Sequence, residues 1–362
     1  MTDYLIVGAG LYGSIVANEL KKSGKSVIVI DQRDHIGGNC FTQSIDGINV
    51  HKYGPHIFHT DNLSVWNYIQ KFCDFNHFSY RPRVNYKGKI YSFPINLLTF
   101  QQVYGISSPA EVQKLLEEIR IFHEDPKNME EWMLDQIGPD LYKIFIEGYT
   151  TKQWGRSPKE LPASIVKRIP IRLTFDDNYY NHPYQGIPVG GYTQIFEKLL
   201  NGIDVRLNHN YFDNKEFFDS LAKNVIYTGP IDRFYNYEFG KLEYRSLDFK
   251  TELLDIPDFQ GVAGVNYTDL DVPYTRIVEH KHFEFGKQNH TIITKEYSKS
   301  LGDPYYPIND GRNQKIYEVY RSKSVENPKF NFGGRLAEYK YYDMHQIISQ
   351  ALDFSSKIRI KN

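Results

Sequence analysis

Unbroken apolar runs set between glycine turns open the chain. Tyr4-Leu5-Ile6-Val7 shows no polar alternation, as a strand buried on both faces requires. Residues 14–23 place apolar side chains at 15, 16, 17 and 20, a helical spacing that Gly24 ends. Val27-Ile28-Val29-Ile30 is a second apolar run and stops at Asp31. Strand, turn, helix and strand in this order predict a βαβ unit on a parallel sheet. Val65, Trp66, Ile69 and Phe72 share one stripe and predict a helix over 62–75, and 84–95 predicts a hairpin turning at Lys87-Gly88.

From 100 to 150 the period becomes helical, through Val112, Leu115, Leu116, Ile119 and Ile121, then Trp132, Leu134, Leu141, Ile144 and Phe145. Residues 151–192 are rich in Pro, Gly, Arg, Asp and Tyr with weak periodicity, and a long irregular segment inside a compact protein is usually functional or mobile. Gly190-Gly191-Tyr192 opens a helical run to Leu200, and 224–230 reads as a strand ending in a glycine turn. Alternation dominates 241–326, notably at 276–285 and 290–297, and predicts an antiparallel sheet with His280, Lys281 and His282 on its surface. A glycine turn and a helix from about Asp343 close the pattern. Strands of dinucleotide-binding type at both ends of the chain predict a discontinuous first domain carrying two insertions.

Composition narrows the function classes. Two or three domains are expected of 362 residues. Lys plus Arg is 43 and Asp plus Glu is 44, so the net charge is -1, which disfavours nucleic acid or an anionic membrane as partner. Two cysteines, Cys40 and Cys73, exclude a disulfide framework and a four-cysteine zinc site, and fit a reducing compartment. The first residues, MTDYLIVGAG, lack the basic region and cleavage site of a secretory signal, and no stretch approaches 18 apolar residues. A cytoplasmic globular protein is expected. Tyrosine supplies most of an aromatic excess, 29 residues of a 15% aromatic share, so some rings are available to stack a ligand and donate hydrogen bonds.

Gly8-x-Gly10-x-x-Gly13 lies between a strand and a helix, with Asp31 18 residues after Gly13. Gly8 permits the tight turn, Gly10 lets a pyrophosphate approach the backbone, and Gly13 lets helix and strand pack. The helix N-terminus offers free N–H groups to phosphate, and Asp31 can accept from ribose hydroxyls. Gly37-Gly38 after Asp31 suits a second loop past which an extended ligand runs, which favours FAD over NAD. No Ser-His-Asp order is found. His56 and His59 stand at i and i+3, but no third residue has metal-ligand spacing, so no metal site is expected.

The segments GAGLYG (8–13), DQRDHIGGN (31–39), HKYGPHIFHT (51–60), GYTTKQWG (148–155), KRIP (167–170), TRIVEHK (275–281), YYP (305–307) and GRLAEYKYYDM (334–344) together resemble bacterial UDP-galactopyranose mutases across essentially the whole chain. The resemblance implies an isomerase that interconverts UDP-galactopyranose and UDP-galactofuranose. It implies reduced FAD acting through its N5 atom as the nucleophile on the anomeric carbon, with no net redox. An external reductant such as NAD(P)H, a UDP-sugar substrate and a homodimer belong to the same expectation, as does a role in polysaccharide biosynthesis. The implied fold is α/β: an FAD-binding Rossmann-like domain (1–76, 186–240 and 327–362), an inserted helical domain (100–185) with a mobile substrate loop, and an antiparallel β-sheet domain (77–99 and 241–326).

Residue by residue, the resemblance implies Arg168 and Arg276 as diphosphate-binding catalytic arginines, and His59, lining the flavin or the sugar, as the third catalytic residue. Cofactor contacts are expected from Gly8, Gly10, Leu11, Tyr12, Gly13, Asp31, Gln32, Gly38, Asn39, His56, Arg335, Tyr342, Asp343 and Met344. Substrate contacts are expected from Tyr149, Thr150, Trp154, Arg168, Tyr179, Arg276, Tyr306 and Tyr341. Two departures bear on the sugar. Tyr80, Arg81 and Arg83 stand where relatives carry a small polar pair, and Pro55 replaces a small residue before His56. An N-acetylated or deoxy sugar nucleotide is therefore an alternative substrate. A conventional FAD oxidoreductase of amine-oxidase type and a non-catalytic nucleotide-binding module are alternatives of other classes. Neither of these needs paired arginines and tyrosines for a diphosphate.

Overall fold

The apolar runs become the middle of a parallel sheet in the structure, a computed structural model that describes residues 1–167 and 169–361, the side chains of 359–361 excepted. Among the described residues, five strands run in the order Phe330–Phe332, Ala222–Tyr227, Thr2–Val7, Val27–Ile30, Asp204–Arg206, every pair parallel. Ile6, Val29 and Ile226 face helices Leu11–Lys22 and Met344–Lys361 across one core. Leu5, Ile30 and Val225 face Tyr211 and Phe218 across the other. Burial on both faces is why these strands lack alternation. Strand order reverses between Thr2–Val7 and Ala222–Tyr227, so the loops leaving their carboxyl ends diverge and open a crevice.

A second sheet stands across that crevice. Its order is Tyr306–Pro307, Tyr244–Leu254, Thr291–Lys299, Arg276–Glu279, Gly264–Tyr267, Arg83–Tyr86, Lys89–Ser92. It is antiparallel except where Gly264–Tyr267 joins Arg83–Tyr86 in parallel, with Val265 opposite Arg83. The hairpin predicted around Lys87-Gly88 is thereby a border of this sheet. The fold is α/β, a Rossmann-like unit joined to a largely antiparallel sheet and a helical layer.

The helical layer comprises Leu97–Tyr104, Pro109–Ile119, Met129–Tyr142 and Gly148–Trp154. Their starts follow capping chemistry: the Asn96 side chain accepts from Leu98 N–H, and that of Asn128 from Glu131 N–H. Val112, Leu116, Met133, Ile137 and Leu141 form the core between them. A single π turn, Lys143–Glu147, precedes the last of these helices. Such turns rotate the following side chains relative to an α-helix, and here Tyr149, Thr150 and Trp154 come to face the crevice.

Two expectations are corrected. The helix predicted over 62–75 spans only Leu63–Ile69. Beyond it the backbone leaves helical geometry to bond with 187–189, as Val189 N–H donates to Asp74 C=O and Asn76 N–H to Ile187 C=O. The strand predicted over 276–285 ends at Glu279 and becomes a 3-10 turn, His280–Glu284. His280 and Lys281 are buried rather than on the sheet surface. The cause is polar: Lys281 Nζ donates to the carbonyls of Pro257, Gln288 and His290, and His280 bonds Thr294 Oγ1 at 2.8 Å. No described helix is long and apolar enough to cross a membrane.

Candidate active site

A cavity of about 770 Å³ fills the crevice between the two sheets. On the parallel-sheet side its floor is two glycine loops. Gly8 has φ +114°, and a Cβ there would lie 2.0 Å from Thr228 Oγ1. Gly37 N–H donates to Ala9 C=O at 2.8 Å, and a Cβ on Gly38 would lie 3.0 Å from Gly10 Cα. The loops thus touch through bare backbone, leaving a channel no side chain obstructs. The helix Leu11–Lys22 begins at this floor with no side-chain cap, so its first N–H groups point at the channel. Asp31 braces both loops, accepting from Ala9 N–H at 2.8 Å and Arg33 N–H at 2.9 Å, with carboxylate lone pairs left for a hydroxyl.

Across the cavity the lining is cationic and aromatic. Arg276 Nη2 donates to Tyr149 Oη at 3.1 Å, and its Nε lies 3.5 Å from Glu296 Oε2. Burial opposes the charge of Arg276, but Glu296 and the surrounding tyrosines outweigh it and hold the guanidinium protonated. Burial pushes the Glu296 carboxyl up against the pull of Arg276. The Tyr306 ring lies 6.0 Å from Tyr341, nearly parallel to it, and 6.3 Å from Trp154. Burial raises the phenols, Tyr80 to about 12 and Tyr306 further, so both remain O–H donors at neutral pH.

Between these walls lies the histidine segment. His56 Nδ1 is 2.9 Å from Gly54 C=O, which can only accept, so Nδ1 carries a proton there. Burial lowers the His56 pKa to about 4, so the ring is neutral. His59 stacks on Tyr180 at 3.6 Å, and its Nδ1 is 2.8 Å from His182 Nδ1. Arg335 Nη2 donates to Tyr305 C=O at 2.9 Å, fixing the loop that follows Gly334.

All the site residues expected from the resemblance line this one cavity except Arg168, which lies outside the described residues. Arg81 and Arg83, expected to reshape the sugar pocket, are not in its lining and pair with Asp177 instead. The floor presents Gly8, Gly10, Leu11, Tyr12, Gly13, Asp31, Gln32, Gly38 and Asn39. His56, His59, Arg335, Tyr342, Asp343 and Met344 lie between the walls. Tyr149, Thr150, Trp154, Tyr179, Arg276, Tyr306 and Tyr341 come from the far side. Several lining residues carried no sequence signal. Glu296 is buried at the cavity wall, Tyr180 covers His59, and Thr228 supports Gly8. Only the turn signal at Gly229-Pro230 hinted at the last.

A family model described as UDP-galactopyranose mutase matches residues 144–341, and one described as an NAD(P)-binding Rossmann-like domain matches 6–72. A dTDP-fucopyranose mutase of Escherichia coli is 42% identical over 379 aligned positions, covering 100% of this chain and 99% of that protein. A probable UDP-galactopyranose mutase of Klebsiella pneumoniae is 41% identical, covering 97% of this chain and 93% of its own. The crystal structure of a reduced UDP-galactopyranose mutase superposes with a TM-score of 0.79 at 15% identity, covering 100% of this chain and 94% of that one.

Proposed function

The chain belongs to the UDP-galactopyranose mutase family, and from that premise we propose that it interconverts UDP-galactopyranose and UDP-galactofuranose with FAD as its cofactor. The observation that carries the reading is one cavity with two chemically different walls: bare glycine loops at a helix N-terminus, and Arg276 among Tyr149, Trp154, Tyr306 and Tyr341. The first wall fits a flavin dinucleotide. The uncapped N–H groups suit its pyrophosphate, Asp31 its ribose, and the Gly10–Gly38 approach leaves room for an extended ligand. Reduced flavin, when bound, would supply the nucleophile that the side chains lack.

The chain's own residues do the rest. Arg276 offers a permanent positive charge to the diphosphate, where negative charge accumulates as the bond to the sugar breaks. Tyr306 and Tyr341 present hydroxyls to the phosphate oxygens, and the raised pKa of Tyr306 keeps its donor proton in place. Tyr149, anchored by Arg276, and Trp154 give the nucleobase apolar faces. Arg168 is read as the second diphosphate arginine. His59 and neutral His56 shape the space between flavin and sugar. The discontinuous domain division, the cytoplasmic location, a homodimer and reduction by NAD(P)H or a similar donor belong to the same reading.

A second reading has its own support: the 42% identity to a dTDP-fucopyranose mutase runs the full length of the chain. Phe93, Tyr179 and Tyr80 form an aromatic group at the cavity, with Phe93 and Tyr179 ring centroids 6.1 Å apart. Such a group suits the methyl of a 6-deoxy sugar better than a hydroxymethyl. Product analysis by HPLC with UDP-galactofuranose and dTDP-fucofuranose, with and without dithionite, separates the readings. Conversion only in the reduced sample, at many turnovers per flavin, supports the mutase. The preferred nucleotide sugar then decides the substrate. Consumption of oxygen with an amine and no sugar conversion would instead favour an oxidoreductase.

A further inference from the structure

We propose that His59, His182 and His345 form a binding site for one divalent transition-metal ion of the imidazole-preferring class, zinc being the type case. The three residues come from distant parts of the chain. His59 lies in strand Phe58–Thr60, His182 precedes strand Tyr184–Gly186, and His345 sits in the first turn of helix Met344–Lys361. Antiparallel pairing of the two strands, with His59 opposite Gln185, delivers His182 to His59. The rings then form a nearly equilateral triangle, with centroids 4.9 Å apart for His59–His182 and 5.1 Å for each of the other pairs.

One ligand nitrogen from each ring lies within 4.8 Å of the other two. Zinc bound at about 2.0–2.1 Å holds tetrahedral nitrogens roughly 3.3–3.4 Å apart, so the wider contacts must close by about an ångström or more and the His59–His182 pair must part slightly. The Nδ1 atoms of His59 and His182 already meet at 2.8 Å, a contact in which only one can carry the proton. His345 Nδ1 is buried and has no hydrogen-bond partner. That nitrogen belongs to a ring packed against those of His59 and His182 and also hydrogen-bonded to the His59 backbone. Three imidazoles with a fourth position open match the preference of zinc and its neighbours rather than of magnesium or calcium.

A rival cluster, Asp258, Glu279 and His282, is less suited. Glu279 already accepts from Phe259 N–H, Gln260 N–H and Thr291 Oγ1. The histidine site stands behind the cavity wall, where His59, Met344 and the Tyr180 stacked on His59 all line the cavity. An ion there would fasten three separate pieces of that wall together. This inference does not depend on which nucleotide sugar the cavity takes.

The test is titration of the full-length, flavin-retaining protein with zinc chloride after chelator treatment, by calorimetry with metal analysis. One zinc per chain is expected, binding at micromolar concentration or tighter at pH 7.5. Affinity should fall at least tenfold in His182→Asn and in His345→Gln, and be unchanged in His282→Ala. Binding should weaken as pH falls, since a ligating imidazole must be unprotonated. His182 is only half-buried, so His182→Asn is expected to fold even if His345→Gln does not. No zinc uptake by the parent protein would overturn the proposal, as would equal uptake by His182→Asn.

Discussion

Arg276 and Glu296 sit directly opposite each other on neighbouring antiparallel strands, both at the cavity wall, with Nε and Oε2 3.5 Å apart. Neither Arg276 Nε nor Glu296 Oε1 has a hydrogen-bond partner. The carboxylate therefore balances the charge of the guanidinium from the Nε side, while Nη2 donates to Tyr149 Oη. Arg276→Lys, which keeps the charge but loses the planar donors, should cut turnover by about 10²-fold or more, the scale seen when a transition-state donor is lost. Glu296→Gln should cost less, because the buried charge keeps a polar neighbour. Glu296→Ala leaves that charge uncompensated, and should lower stability by roughly 3 kcal/mol. Steady-state kinetics and urea unfolding of the three variants check this ordering. Equal activity in Arg276→Lys and the parent protein would remove Arg276 from the diphosphate site.

Gly8→Ala tests the cradle. The residue would have to adopt φ +114° and place its Cβ 2.0 Å from Thr228 Oγ1, which is itself tied to Val7 C=O at 2.8 Å. Strain of this kind is worth about 1–3 kcal/mol, before the clash is counted. Flavin absorbance per chain should fall well below that of the parent protein, while the sheet itself persists in far-UV circular dichroism. Full flavin occupancy in Gly8→Ala would show that the cofactor does not lie on this loop.

What the sequence made legible and what it hid divide along physical lines. The Gly8–Gly13 loop, its flanking strands and Asp31 are local signals: each residue's role depends on neighbours within one βαβ unit. The hairpin at Lys87-Gly88 is local in the same sense. Glu296 is different. It stands within an ordinary alternating strand, and its place beside Arg276 depends on the register between two strands far apart in sequence. His182 likewise meets His59 only through the pairing of Phe58–Thr60 with Tyr184–Gly186. His280 shows the opposite failure, since its period-2 pattern was real but three carbonyl acceptors for Lys281 won over strand continuation.

Lys152 gives a prediction about positioning. Its ammonium donates to four backbone carbonyls, those of Tyr267, Asp269, Val272 and Tyr274, at 2.7–3.0 Å. It thereby pins the helix carrying Tyr149, Thr150 and Trp154 to the second sheet. Lys152→Met leaves those carbonyls facing an apolar chain, and should cost about 3 kcal/mol of stability. KM for the nucleotide sugar should rise in the same variant while flavin content stays at the parent level. A variant of unchanged stability would mean that the carbonyls find water instead.

The buried histidines set a pH dependence whose sign is fixed. His280 is buried, with a pKa lowered to about 3 by loss of solvent, and His51 is lowered well below its usual value for the same reason. The unfolded chain takes up a proton on each near pH 6.5, whereas the folded chain does not. Stability is therefore full above pH 6.5 and is lost as pH falls toward the folded-state values, at up to about 1.4 kcal/mol per pH unit for each histidine. With His56, lowered to about 4 by loss of solvent, counted beside them, urea unfolding should show a loss of roughly 4 kcal/mol between pH 7.5 and 5.5, before the carboxylates titrate. His280→Gln, whose amide can still bond Thr294 Oγ1, should flatten that slope by about a third. An unchanged slope in His280→Gln would assign the acid sensitivity to other groups.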